Sequence, residues 1–100
     1  MAVASLVVTP IGTGSPSVSK YVAEVHKVIE EKGIKHQLTP ADTILEGEID
    51  EIFDVVKNIY EHMFKIGLKR VSVHIHMDER TDKKLSMKGK VSAVREKLNG

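Results

Sequence analysis

A chain of 100 residues has room for one modest hydrophobic core, so residues 1–100 are expected to form a single domain. Its 41% hydrophobic and 29% charged residues are those of an ordinary folded protein and exclude a disordered chain. The 15 basic and 14 acidic residues are interleaved, leaving no basic field for nucleic acid or a membrane surface, and the absence of cysteine excludes disulfides, thiolate metal sites and a cysteine nucleophile.

Met1 to Val8 is apolar, but it lacks a basic leader, is too short to span a bilayer and runs into Thr9-Pro10. With Val3, Leu6, Val7 and Val8 it reads as a first strand, expected in mid-sheet with both faces buried. From Val18 the period changes to helical, through Tyr21, Val22, Val25, Val28 and Ile29, with Gly33 as the left-handed stop. Ile34–Thr39 and Thr43–Glu48 are two short runs around Pro40-Ala41-Asp42, which suits a hairpin. A second helical stripe runs from Ile49 through Ile52, Phe53, Val56, Ile59, Tyr60, Met63 and Phe64 to a stop at Gly67. Val71, Val73, Ile75 and Met77 then alternate with Ser72, His74, His76 and Asp78, the pattern of a strand with one buried face. Met87, Val91, Val94 and Leu98 mark a short last helix with Ser86 as its N-cap.

The order β-α-β-β-α-β-α, with right-handed crossovers, gives an α+β fold of the ferredoxin-like, split βαβ type: βαββαβ plus a short C-terminal helix. An antiparallel sheet with both long helices on one face is expected. That topology serves many functions, so each must be tested on its own residues. An RNA-recognition domain stacks bases on aromatics of its central strands, and Ala2–Thr9 and Thr43–Glu48 contain none. An acylphosphatase-like enzyme would place an arginine just after the first strand, whereas the first arginine here is Arg70.

Three features carry unusual chemistry. The loop Gly12, Thr13, Gly14, Ser15, Pro16, Ser17 joins a strand to a helix start, where free amides could hold an anion or a polar ligand edge. Ser15 or Ser17 could equally just cap the helix, with Pro16 at its first position. His74 and His76, two apart on one strand, share a face with Ser72 and Asp78, and a metal would need a third ligand such as His36 or Glu46. Glu46, between Leu45 and Gly47, would need a partner or a ligand if its strand is internal.

The stretch from Val8 through Thr9, Pro10, Ile11, Gly12, Thr13 and Gly14 to Ser15, the segments Ser19–Val22, Leu38–Pro40 and Thr43–Gly47, and later Asp78–Arg80 and Met87–Val91 together resemble the small thiamine-binding-protein family. The resemblance runs over nearly the whole chain. It implies a cytosolic ferredoxin-like domain that binds thiamine or a similar pyrimidine and assembles as a homo-oligomer, commonly a tetramer. Glu46 would then supply a negative charge, and Thr43, Ser17 or Ser19 polar edges. The resulting expectation is a cytoplasmic small-molecule-binding protein, with a ligand site drawn from Gly12, Thr13, Gly14, Ser15, Ser17, Ser19, Thr43, Glu46, His76 and Asp78. No cofactor, nucleic acid or membrane partner is expected. The alternative is a small enzyme using His74 or His76 with Glu46 or Asp78 as an acid/base pair, with or without a metal.

Overall fold

The structure, a computed structural model, describes residues 1–100. In chain order the elements are β1 (Ala2–Ile11), α1 (Ser19–Lys32), β2 (Lys35–Leu38), β3 (Thr43–Gly47), α2 (Ile49–Lys65), β4 (Arg70–Glu79) and α3 (Met87–Asn99). The strands form one sheet in the order β2-β3-β1-β4, antiparallel throughout. This is the split βαβ arrangement.

Alternation along the strands decides which face is buried. Ala2, Ala4 and Leu6 of β1 and Leu45 of β3 point to the helix side, where they meet Val25, Val28 and Ile29 of α1 and Ile52, Val55, Ile59 and Met63 of α2. The other sheet face carries no long helix; near Glu46 it is covered by the Leu85–Met87 segment that leads into α3. β1 does lie in mid-sheet, but it is buried on one face only: Val7 is 38% exposed, and Val3 and Ile11 are half-buried. The expectation of burial on both faces fails because both crossover helices return to the same side.

Local signals set the helix ends. α1 stops at Gly33, whose φ of 69° is the left-handed turn that glycine takes without strain. α2 opens with a capping box in which the Glu48 N–H donates to Glu51 Oε1 at 3.1 Å. Ser86 caps α3, its hydroxyl accepting the Gly89 N–H at 2.9 Å. The start of α1 departs from expectation: Val18 is the N-cap and contributes no side-chain bond. Ser15 and Ser17 do not reach the helix, because the loop bonds to itself. Thr13 Oγ1 accepts the Ser15 N–H at 3.3 Å, and Ser15 Oγ accepts the Ser17 N–H at 3.1 Å.

α3 buries none of its residues, and Val91, Val94 and Leu98 are 52%, 59% and 78% exposed. It projects from the domain, so the radius of gyration is 15.1 Å, against about 13 Å for a compact chain of this length. No helix is long and apolar enough to cross a membrane.

Candidate functional site

Strand lengths open a cleft. β1 and β4 pair along their full ten residues, from Ala2↔Glu79 to Ile11↔Arg70. β3 is half as long and stops against β1 at Thr43↔Leu6. Beyond it the chain turns through Thr39, Pro40, Ala41 and Asp42, and the first turns of α1 arch over the gap. The result is a cleft of about 240 Å3, walled by Leu6, Val8, Val22 and Val25 and bordered by Val18, Leu38 and Asp42. Val18 and Leu38 are 40% and 60% exposed, so the border keeps apolar surface in water.

One carboxylate borders this cleft, on the side away from the helices, where Ser5 faces with its strand neighbours Val3 and Val7. Asp42 Oδ2 accepts a hydrogen bond from the Ser5 hydroxyl, and Oδ1 accepts one from Thr39 Oγ1 at 2.5 Å. The Ser5 bond first, and the Thr39 bond second, hold the Asp42 carboxyl below the usual carboxylate range, against a smaller opposing effect of burial. Asp42 is thus a positioned anion at neutral pH, and both its oxygens keep acceptor capacity.

Thr43, buried beneath the cleft, ties it to a histidine pair. His26 Nε2 lies 2.9 Å from Thr43 Oγ1, and the His26 and His36 rings meet edge to face at 5.6 Å. His36 Nδ1 donates to the Ile34 carbonyl at 2.9 Å, which fixes the proton on that nitrogen. Burial first, and the neighbouring His36 second, push the His26 pKa down, with Glu30 acting weakly the other way.

The residues singled out in the sequence fall into separate places. Thr43 lines the cleft. Gly12, Thr13, Gly14, Ser15 and Ser17 form the loop after β1, which is mostly exposed, and the loop's own hydroxyls occupy two of its amides. Ser19 is the first residue of α1 and is exposed. Glu46 and Asp78 both pair with Val3 and so lie on the open sheet face, away from the helices. Glu46 is buried, and its need for a partner is met inside the chain: Oε1 accepts the Met87 N–H at 2.8 Å and Oε2 lies 3.4 Å from Lys35 Nζ. Asp78 accepts from Lys90 Nζ at 2.6 Å, so both carboxylates anchor the base of α3.

His74 and His76 lie exposed on the open face, and neither makes a hydrogen bond to a carboxylate. His36 alternates to the opposite face with its partner Leu45. No group of three or more His, Asp or Glu side chains converges as a metal site. The histidine–carboxylate hydrogen bond that does exist, His62 Nε2 to Glu24 Oε2 at 2.7 Å, joins α2 to α1. Asp42, Thr39, Val22 and Leu38 were not foreseen as a site. Thr39 reads in sequence as the end of a strand run and Asp42 as a turn former; what brings them to the cleft is the early end of β3.

With this geometry in view, comparison with known proteins places the chain. The family model described as thiamine-binding protein matches residues 4–95. The chain belongs to the thiamine-binding-protein family. It is 45% identical to UPF0045 protein YqgV of Bacillus subtilis over 98% of each chain. The crystal structure of the hypothetical protein MJ1052 from Methanocaldococcus jannaschii superposes with a TM-score of 0.86 at 33% identity, covering 95% of this chain and 96% of that one. A putative thiamine biosynthesis/salvage protein of Thermotoga maritima shares the fold with a TM-score of 0.80 at 24% identity, over 93% and 97% of the two chains.

The lowered His26 pKa has a defined consequence for stability. Between the folded value and the ordinary value of about 6.5, the unfolded chain binds more protons than the folded one. Stability is therefore full above that window, falls as pH drops through it, and levels off below the folded pKa. Thermal melts of the parent and His26→Gln at pH 7.5 and pH 5.5 check this: the parent is expected to lose more Tm between the two conditions than the variant.

Proposed function

We propose that this protein binds thiamine or a related pyrimidine in the cleft between α1 and the Thr39–Asp42 turn, and that it acts as a homo-oligomer. The observation that carries the ligand reading is the Asp42 carboxylate, held ionised by Ser5 and Thr39 at the border of an apolar cleft. Thiamine asks for apolar walls around a flat ring and a negative group near its thiazolium cation, and the cleft has both. Its volume of about 240 Å3 lies below the roughly 300–1,000 Å3 of pockets that enclose drug-sized ligands. That size suits a single substituted ring inside, with the remainder of a larger ligand at the mouth. Family membership supports the same ligand class.

Asp42 replaces Glu46 as the residue proposed to face the ligand cation. Glu46 already has two partners inside the chain and does not line the cleft. Calorimetric titration with thiamine tests the assignment. Asp42→Asn is expected to keep the fold and weaken binding about tenfold or more, the scale of one charge-assisted contact, whereas Glu46→Gln is expected to bind like the parent. No heat of binding with the parent protein rejects the ligand; equal affinity in Asp42→Asn rejects the residue.

Self-association is supported by two uncovered apolar surfaces in one chain: the α3 stripe of Val91, Val94 and Leu98, and the open sheet face with Val3, Val7 and Ile11. Surfaces of this kind mark contact regions, and a tetramer is the assembly that the family resemblance implies. Sedimentation velocity at micromolar concentration is expected to show a species larger than a monomer, and Val94→Asp with Leu98→Asp is expected to shift it toward monomer. A monomeric parent contradicts this part of the proposal.

A further inference from the structure

The cleft is lined by five consecutive residues of β1, Leu6 to Pro10. A cavity resting on one face of a strand would touch alternate residues only. Contact with all five means that the cleft exposes the strand's edge, where β3 no longer covers it.

The direction of the backbone groups along that edge follows from the hairpin. The Thr39 N–H donates to the Asp42 carbonyl at 2.9 Å, so Thr39 and Asp42 form the hydrogen-bonded pair that closes the β2–β3 turn. Antiparallel pairs alternate, so the next pair, Leu38↔Thr43, points its amides and carbonyls outward. Thr43 therefore faces β1, and its partner Leu6 faces β3. Two residues on, the N–H and C=O of Val8 point the same way, into the cleft, and two further on so does Pro10. Pro10 confirms the direction independently: proline within a paired strand sits where no amide hydrogen is needed. β4 stays paired with β1 through Pro10↔Val71 and Ile11↔Arg70, so the side without a donor is the cleft side.

Val8 thus presents an N–H and a C=O side by side, between the apolar wall and the Asp42 carboxylate. We propose that this unpaired strand edge reads the ligand: the Val8 N–H donates to a ring nitrogen, and the Val8 C=O accepts from an exocyclic amine beside it. The inference rests on the cleft being the ligand site and adds the class of ligand, flat heterocycles with an amino group adjacent to a ring nitrogen. A hydroxyl or side-chain amide can rotate to suit a reversed ligand edge, but a backbone pair within a strand cannot. The amine is therefore required rather than tolerated.

Amide-resolved NMR tests the edge and the ligand separately. In the free protein the Val8 amide is expected to exchange with solvent at least about tenfold faster than those of Val7 and Thr9, which face β4; equal protection of all three would overturn the inference. On titration with thiamine or 4-aminopyrimidine the Val8 amide is expected to shift and to become protected. 4-(Dimethylamino)pyrimidine, which cannot donate, is expected to bind about tenfold more weakly. If thiamine moves the Thr39–Thr43 amides but not Val8, or if the dimethylated ring binds as well as the amine, the edge reading falls while the cleft remains the site. If neither probe perturbs the cleft, the ligand reading falls with it.

Discussion

The structure turns on a mismatch of strand lengths. β1 needs ten residues to pair fully with β4, but β3 supplies only five partners on its other side before the chain turns back into β2. A strand with unpaired amides and carbonyls beside an apolar wall cannot simply be sealed over by side chains, because buried backbone groups demand partners. The gap stays open as a cleft, roofed by α1 and closed at one end by the Thr39–Asp42 turn. The same turn positions Asp42, since Thr39 bonds both its backbone and its carboxylate, and Ser5 reaches the other oxygen from the neighbouring strand. One local event therefore creates the cavity, its charge and its free strand edge together.

Much of the fold was legible because its signals are periodic or conformational. Val71 to Met77 alternate, Ile49 to Phe64 keep helical spacing, Gly33 and Gly67 take positive φ, and Ser86 caps α3; each signal lies within a few residues of the feature it specifies. The candidate site was far less legible. Thr39 and Asp42 are common turn residues, and their second role depends on Ser5, which is 37 residues from Asp42 in sequence. Glu46 drew attention correctly as a carboxylate in an internal strand, but its partner is the Met87 amide, 41 residues away. Sequence spacing could show that Glu46 needed a partner without showing which one. The Gly12–Ser17 loop failed as a helix cap for a local reason, since Thr13 and Ser15 satisfy amides of their own loop.

The two sheet faces divide the work. The helix face holds the core and the apolar wall of the cleft, while the open face carries His74, His76, Glu46 and Asp78, with the two carboxylates spent on fixing the base of α3. A catalytic pair on the open face would require a histidine hydrogen-bonded to a carboxylate. Both carboxylates there are turned instead toward α3 and Lys35.

A structure of the protein crystallised with saturating thiamine would show whether the cleft holds the ligand. The pyrimidine ring is expected to lie in the cleft, flanked by Val22 and Val8, with the cationic end of the ligand toward Asp42. Thiamine ordered instead on the open sheet face beside His74 and His76, or an empty cleft at a concentration where calorimetry shows binding, would contradict it.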